Sequence, residues 1–536
     1  MDRVVIVGSG ASGVHFALSL LRKGYPVTML DVGNQKSGTV HPQNNWTELK
    51  SSLNDPVEYF LGNDFEAVIF PKNESEYYGF PPNKNYVFKK PTLFNFRASG
   101  FAPLFSFAQG GLAEVWTGGV YPLNDEELCD FPFSFAEIAP YYNEVTNRIG
   151  ISGARDDLAR FLPFHDHIVE PLRLDDHSDL LLSRYARKKT YLNKRLNCFM
   201  GRSRIAVLSC SNNGRKACTY SGRCLWGCPS GALYSPSLTL EECRKHKNFD
   251  YIRNMYVCHF SYNSKRRITA VIARSTLNGQ SQEFSLDRLA LAAGTLCTST
   301  IFLRSIFANS GETVKLHGLM DNRQILVPFI NLRMIGKPYT AESYQYHLLA
   351  LGFESAKSEE YVHGQITTLK SALIHPIIQS IPLDIKTSTF IFRNLHSALG
   401  LINLNFFDRR REGNYVTLVL DSKLSEPSIY IHYEPVAGEF RCLKKTLKKI
   451  KKAMRALECI IPPGMVHIRP MGSSVHYSGT IPMTSDHGTF TTSEFCRSND
   501  FQNLFIVDGT TFPFLPAKNL TFTLMANAVR IADTAF

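Results

Sequence analysis

The chain opens on a strand pattern, a glycine turn and a helix pattern. Val4 to Val7 is a short apolar run rich in β-branched residues, which is typical of a strand buried on both faces. It runs directly into a turn with glycine at positions 8, 10 and 13. From His15 to Lys23 apolar residues recur at helical spacing, and Gly24 is suited to end the helix. A second apolar strand is predicted at 26–30, and Asp31 ends it.

This unit predicts a dinucleotide-binding site. Gly8 permits the tight turn, Gly10 lets the backbone approach a pyrophosphate, and Gly13 lets helix and strand pack closely. The helix N-terminus directs unpaired N–H groups and its positive dipole end at the phosphates. Asp31 is suited to bind a ribose and favours FAD or NAD over NADP, whose extra phosphate it would repel. The predicted contacts are Gly8, Ser9, Gly10, Ala11, Ser12, Gly13 and Asp31.

The following segments alternate between irregular and regular patterns. Residues 34–100 show little periodicity and predict long loops. Helical spacing returns at 137–150 and 178–196. Three strands are predicted at 251–262, 268–275 and 283–293, and a helix at about 298–304.

Short runs of alternating polar and apolar residues fill 320–440, as at 415–420 and 428–433. This pattern predicts an antiparallel sheet with one solvated face, which does not belong to a parallel nucleotide-binding fold. We therefore expect an α/β protein with a discontinuous Rossmann-like cofactor domain and a second domain on a largely antiparallel sheet. We predict a cofactor domain at 1–319, with surface excursions at 34–100 and 150–215, and a substrate domain at 320–460. The chain is then expected to return to the cofactor domain at 461–536, with a strand at 504–508 and a helix at 521–536.

Composition narrows the class of protein. The chain is 44% hydrophobic and 20% charged, as in ordinary globular proteins. No apolar stretch is long enough to predict a transmembrane helix, and a structural strand occupies the place of a signal peptide, so we expect a cytoplasmic protein. Its 12 cysteines are then most simply free thiols.

The net charge of +12 is partly local. Lysines fill the faces around an apolar stripe at 443–457, which predicts a solvated helix packed by that stripe. Peripheral contact with a membrane is the alternative for this helix. We find no motif for nucleic acid and expect none as a partner.

Several separated blocks resemble the glucose/methanol/choline (GMC) flavoprotein oxidoreductases, nearest to pyranose oxidase and the bacterial sugar dehydrogenases. The N-terminal unit is the first block, QGGLAEVWTGG at 109–119 the second and LAAGT at 291–295 the third. The most specific blocks are GSSVHYSGT at 472–480, NLFIVDG at 503–509 and PAKNLTFTLMANA at 516–528.

The resemblance implies an FAD-dependent enzyme that oxidises a CH–OH group of a sugar, polyol or other alcohol. It implies that His476 takes the hydroxyl proton while flavin N5 takes the hydride, and that Asn519 binds the substrate oxygen. Asn519 could instead be a helix N-cap. Further cofactor contacts are expected at Gly110, Gly111, Trp116, Thr117, Val257, Ala293, Gly294, Asp508 and Gly509.

One departure from the family pattern and one further resemblance bear on the cofactors. Some pyranose-oxidising relatives attach FAD through a histidine before the tryptophan, and Val115 stands there, so we expect non-covalent FAD. Cys218, Cys224 and Cys228 resemble a cysteine-rich segment that in some bacterial members holds an iron–sulfur cluster, which we treat as a candidate against simple buried thiols.

Three functional questions stay open at this point. A lyase that uses His476 for acid–base cleavage and a non-catalytic binding protein are the alternatives to an oxidoreductase. Oxygen, a quinone and a redox partner are all candidate electron acceptors. The substrate is expected to be a small alcohol or sugar.

Overall fold

The computed structural model describes the whole chain except residues 37–45, 66, 68–79, 164, 213, 371–373, 380 and 421–425. The predicted loops of 34–100 lie partly outside this described region. Two sheets dominate the part of the chain that is described.

A five-stranded parallel sheet forms the centre of the cofactor-binding half. Val4–Val7 occupies its middle, and all four of its residues are buried, as the continuous apolar run predicted. The helix Ala11–Arg22 follows and packs against the C-terminal helix Thr521–Thr534. In sheet order the strands are Leu504–Ile506, Arg288–Leu291, Val4–Val7, Val27–Leu30 and Phe249–Ile252.

Two of the predicted strands are each divided between two sheets. The prediction of one strand at 251–262 is wrong, because Phe249–Ile252 ends in the parallel sheet and Met255–Tyr262 begins in another. Asn254, with φ 63°, makes the turn between them, and asparagine tolerates this left-handed conformation. The predicted strand at 283–293 divides in the same way. Ser281–Ser285, Ile268–Ser275 and Met255–Tyr262 form a three-stranded antiparallel sheet.

The second large sheet has seven strands and is antiparallel throughout. Helices Asp176–Leu196 and Glu439–Ala456 share a hydrophobic core with it. In sheet order its strands are Cys459–Ile460, Gln324–Asn331, Leu399–Asn405, Val362–Thr368, Leu349–Phe353 and Cys198–Arg202, and His467–Ile468 pairs with Gln324–Asn331 beside them.

One part of the predicted second-domain sheet lies elsewhere. Tyr415–Val419 and Ser428–His432 form a four-stranded sheet with Lys315–His317 and Phe96–Ser99. This sheet packs in the same core as the helix Thr295–Ser310 of the cofactor half. The prediction of a single antiparallel sheet over 320–440 is wrong, because alternation shows that one face of a strand is buried and does not show which strands pair with it. The division of the chain at 319 and 460 stays a prediction.

The basic helix Glu439–Ala456 buries its apolar stripe. Leu443, Ile450 and Met454 lie in the core of the seven-stranded sheet, while most of its lysines are exposed. The stripe is therefore not available for insertion into a lipid surface. Among the described residues, no helix is long and apolar enough to cross a membrane.

The remaining regular elements are short or peripheral. The other α-helices are Trp46–Ser52, Pro56–Leu61, Phe135–Ile149, Pro236–Cys243, His375–Gln379 and Ile385–Leu395. Two-residue strands pair at Ile151–Ser152 with Ile168–Val169 and at Asp408–Arg409 with Phe514–Leu515.

Candidate active site

The glycine turn between the first strand and helix has the geometry of a phosphate site. Gly8 has φ +100°, and a Cβ there would lie 2.7 Å from the carbonyl oxygen of Ala292. A Cβ on Gly13 would overlap the carbonyl oxygen of Gly8, so this glycine allows the close packing. A Cβ on Gly10 would meet nothing nearer than 4.0 Å. Gly10 is the N-cap of the helix and no side chain caps it, which leaves its first N–H groups for an anion.

Asp31 lies at the end of the second strand, partly buried beside this turn. Its carboxylate accepts hydrogen bonds from Ser9 Oγ and, at 3.1 Å, from Tyr251 Oη. Burial raises the pKa of Asp31 to about 6, and the hydrogen bonds oppose that rise. Both bonds reach the same oxygen, Oδ2, so Oδ1 is the atom suited to accept from a ribose hydroxyl.

One elongated cavity joins the glycine turn to the C-terminal blocks. The N-terminal end of the helix Thr521–Thr534 also faces it, through Thr521 and Leu524. The positive end of that helix dipole thus points into the cavity. Of the predicted contacts, the lining includes Gly8, Ser9, Gly10, Ala11, Ser12, Asp31, Gly110, Gly111, Val257, Ala293, Gly294, His476, Asp508 and Gly509.

Gly13, Trp116 and Thr117 do not line this cavity. Trp116 Nε1 donates to the carbonyl oxygen of Tyr234 at 2.7 Å, and Thr117 Oγ1 lies 3.1 Å from His347 Nε2. Their assignment to the cofactor stays a prediction. The sequence analysis missed an apolar part of the lining. Phe94 lies in the segment 34–100, which was predicted as loops, and Leu104, Phe105 and Phe107 lie just after it, where nothing was predicted.

The Asp508 side chain links two strand ends. Its Oδ2 accepts from Gly294 N at 2.9 Å and from Thr298 Oγ1 at 2.5 Å, while Oδ1 accepts from Thr510 N at 3.0 Å. These bonds fix the turn after Arg288–Leu291 against the turn after Leu504–Ile506. The carboxylate is fully used within the protein, so a bound ligand would meet backbone atoms of this turn.

His476 lies at the other end of the cavity on a tight turn. Val475 before it has φ 58°, a conformation that is costly for a β-branched residue by about 1–3 kcal/mol. His476 is buried, and its Nδ1 lies 2.9 Å from Asn322 Oδ1. Burial, followed by the positive charge of Arg469, lowers the pKa of His476 to about 4. The imidazole is therefore neutral at neutral pH, which is the form that a general base requires.

Asn519 meets His476 although the two lie in different blocks. Asn519 Nδ2 is 3.4 Å from His476 Nε2, and Asn519 Oδ1 accepts from Gln365 Nε2 at 2.8 Å. The alternative that Asn519 is a helix N-cap is wrong: Leu520 is the N-cap and no side chain caps the helix. The side chain of Asn519 is thus directed at His476 instead.

The sequence analysis missed four residues that surround this pair. Asn322 bonds His476, and Gln365 bonds Asn519. Lys518, which precedes Asn519 in the chain, forms a buried ion pair with Glu127. Asn322 and Gln365 come from the segment 320–440, in which no motif is readable. Lys518 lies inside a quoted block, but a single lysine gives no signal that it is buried.

The three cysteines of 218–228 do not form a metal site. All three border one small apolar cluster, and burial raises the pKa of Cys218 to about 11 and that of Cys224 well above its ordinary value. The described residues contain no group of three or more His, Cys, Asp or Glu side chains that could hold a metal ion. The iron–sulfur prediction is therefore not supported in the described part of the chain.

The residues of the cavity fit FAD. An uncapped helix N-terminus and an acid at the end of the second strand suit its adenosine diphosphate half. The apolar lining and the second helix N-terminus suit a flavin ring, whose reduced form carries negative charge. The fold and the cavity together are those of a flavin-dependent oxidoreductase.

Comparisons with known proteins agree with this class. Residues 410–528 match the family described as GMC oxidoreductase. This segment of the chain is therefore similar to the C-terminal domain of GMC oxidoreductases.

Relatives align along nearly the whole chain. It is 23% identical to 2-methyl-1,2-propanediol dehydrogenase of Mycolicibacterium austroafricanum, over 99% of this chain and 94% of that protein. It is 22% identical to paromamine 6'-oxidase of Streptomyces fradiae, over 99% and 90%. It is also 22% identical to the large subunit of fructose dehydrogenase of Gluconobacter japonicus, over 99% and 97%. The crystal structure of pyridoxine 4-oxidase from Mesorbium loti has a similar fold, with a TM-score of 0.61 at 13% identity over 99% of both chains.

Proposed function

We propose that this protein oxidises a CH–OH group of a small alcohol, polyol or sugar, with non-covalently bound FAD. The observation that carries the proposal is the meeting of His476 Nε2 and Asn519 Nδ2, 3.4 Å apart, beside a cavity that fits FAD. Three related proteins have names that specify a diol, an aminoglycoside and a sugar, all of which carry hydroxyl groups. A hydroxyl-rich substrate is therefore the class that we propose.

The chain's own residues would divide the work at one oxygen atom. His476 Nε2 would accept the hydroxyl proton, since burial keeps its imidazole neutral at neutral pH. Asn519 Nδ2 would donate a hydrogen bond to the same oxygen and stabilise the negative charge that develops there. Bound FAD supplies the acceptor for the hydride that leaves the carbon.

The binding residues would hold FAD without a covalent bond. Val115 offers no nucleophile at the position where some relatives have a histidine. Precipitation of the protein with acid should release all of the flavin into the supernatant, whereas flavin that stays with the pellet would contradict non-covalent binding. The cytoplasmic location expected from the sequence and the identity of the electron acceptor stay predictions.

Anaerobic reduction of the bound flavin tests the function. Under argon, a 1,2-diol, an aminoglycoside and a ketose or aldose are added separately to the purified holoenzyme, and absorbance of the oxidised flavin is followed. We expect at least one of them to bleach the flavin and His476→Ala to lose this response. His487→Ala, at an exposed histidine outside the cavity, is the matched control and should bleach at the wild-type rate.

Two outcomes would contradict the proposal. A flavin that stays oxidised with all three substrates, while one of them is cleaved, would favour the lyase alternative. Equal bleaching by the wild type and His476→Ala would show that His476 is not the base.

A further inference from the structure

We infer that Asn322 fixes the proton of His476 on Nδ1, so that the lone pair of Nε2 faces the substrate. Asn322 does not line the cavity and bonds His476, so it is a positioning residue that acts through the histidine. This inference rests on the proposed function, in which His476 is the base.

Backbone carbonyl groups determine which way the Asn322 amide points. Its Nδ2 donates to the carbonyl oxygen of Phe406 at 2.7 Å and to that of Pro516 at 3.0 Å. A carbonyl oxygen can only accept a hydrogen bond, so the nitrogen of the amide must face these two oxygens. The reversed amide would place Oδ1 against both of them. Asn322 is almost fully buried, so water cannot relieve that repulsion.

The orientation of Asn322 decides the tautomer of His476. Its Oδ1 lies 2.9 Å from His476 Nδ1, and this oxygen can only accept. Nδ1 must therefore carry the hydrogen. Because the imidazole is neutral, Nε2 then has none and presents its lone pair. The opposite tautomer would bury two facing acceptors at Nδ1 and would leave no base at Nε2.

The other side of the histidine has the same polarity. Gln365 Nε2 donates to Asn519 Oδ1 at 2.8 Å, which leaves Asn519 Nδ2 as the group that faces His476 Nε2. A chain of hydrogen bonds therefore runs from Gln365 through Asn519, His476 and Asn322 to two backbone carbonyl oxygens. At every step the donor is on the Gln365 side and the acceptor on the other. A substrate hydroxyl placed between Nδ2 and Nε2 would find one donor for its oxygen and one acceptor for its proton.

Few charged groups act on His476 in this arrangement. Arg469 lowers the pKa of His476. The neutral imidazole of His363 lies in the seven-stranded sheet, and Lys518 is paired with Glu127. Asp321 is held by Ser474 and Gly472 on the turn that carries His476. A change at Asn322 alters none of these side chains, so a shift in the pH profile would report on the Nδ1 bond.

The experiment combines one spectroscopic and two kinetic measurements on the holoenzyme. The protein is labelled with ¹⁵N-histidine, and the resonances that disappear in His476→Gln identify that residue. In the wild type at neutral pH we expect a pyrrole-type Nδ1 and a pyridine-type Nε2. The rate of anaerobic flavin reduction and its pH dependence are then compared between the wild type, Asn322→Leu and Asn322→Asp.

Asn322→Leu removes the acceptor, so we expect the tautomer to change and flavin reduction to slow by about 10²-fold or more. Asn322→Asp restores an acceptor at Nδ1, so the rate should recover in part. Its carboxylate also favours the charged imidazolium, so the acid limb of the pH profile should move to higher pH. Asn414→Leu is the matched control: Asn414 is equally buried and binds backbone groups, and its removal should leave the tautomer and the pH profile unchanged.

The inference is overturned if wild-type His476 carries its hydrogen on Nε2, whatever the variants do. It is also overturned if folded, FAD-loaded Asn322→Leu reduces flavin at the wild-type rate. A wild type that no alcohol reduces would refute the proposed function alone, because the tautomer is still read from the NMR spectrum.

Discussion

Lys518 and Glu127 form an ion pair in which neither side chain has any exposed surface. The lysine Nζ also donates to the carbonyl oxygens of Pro122 at 2.8 Å and Phe161 at 2.6 Å. Burial raises the pKa of Glu127 and lowers that of Lys518, and each partner opposes that change in the other. The pair fixes the chain immediately before Asn519 to the segment at 122–127.

Replacing one member of this pair should destabilise the protein strongly. Lys518→Met leaves a buried carboxylate without its partner, so we expect a loss of about 3–5 kcal/mol in the free energy of unfolding. The double variant Lys518→Met/Glu127→Leu removes both charges and should recover much of that loss. Arg22→Met, which breaks the two exposed pairs of Arg22 with Glu144 and Glu242, is the control and should cost about 1 kcal/mol. Urea denaturation of the four proteins measures this, and a double variant less stable than Lys518→Met would contradict the argument.

Two glycines of the first turn should respond differently to alanine. A Cβ on Gly10 has room in the protein and its φ of −65° suits any residue, so Gly10→Ala should fold normally and lose FAD affinity. A Cβ on Gly13 overlaps the carbonyl oxygen of Gly8, so Gly13→Ala should destabilise even the apoprotein. Thermal unfolding of apoprotein and titration with FAD separate the two effects. Unchanged FAD affinity in Gly10→Ala would contradict the prediction that the pyrophosphate binds at this turn.

The positive charge of Arg469 should lower the pH at which activity is lost on the acid side. His476 is the base only when neutral, so kcat/KM should be constant above its pKa and fall as the pH drops through about 4. Arg469→Gln removes a positive charge, which favours the imidazolium, so the acid limb should move to higher pH. Arg469→Lys keeps the charge and should leave the limb nearer its original position. A limb that moves to lower pH in Arg469→Gln would contradict the assignment.

Reversing the hydrogen bond between Gln365 and Asn519 should slow flavin reduction more than removing it. Gln365→Met removes the donor to Asn519 Oδ1, for which we expect a loss of about tenfold in the rate of flavin reduction. Gln365→Glu places an ionised acceptor against that oxygen, which forces the Asn519 amide to turn its oxygen toward His476. The loss should then reach about 10²-fold, because the donor to the substrate oxygen is gone. Stopped-flow reduction at saturating substrate measures both, and equal rates would show that the amide direction is unimportant.

Local patterns were sufficient for the first elements of the parallel sheet and its glycine turn. The first strand, the glycine turn and the acid after the second strand follow from short-range rules, because burial on both faces, positive φ and helix capping depend on neighbours in the chain. The two divided strands show the limit of these rules. Apolar content continues through Asn254, and only the pairing of the flanking residues with different sheets separates them.

The class of chemistry could be predicted from residue types in recognisable blocks: three glycines, an acid, a histidine and an asparagine. The directions in which those groups point became visible only in the folded chain. Asn322, Gln365 and Glu127 reach the site from segments without a motif, across 154 residues to His476, 154 to Asn519 and 391 to Lys518. A hydrogen bond depends on distance and direction in space, and neither is encoded by local periodicity. The position of one proton on His476 therefore follows from two carbonyl oxygens that the sequence does not distinguish from any others.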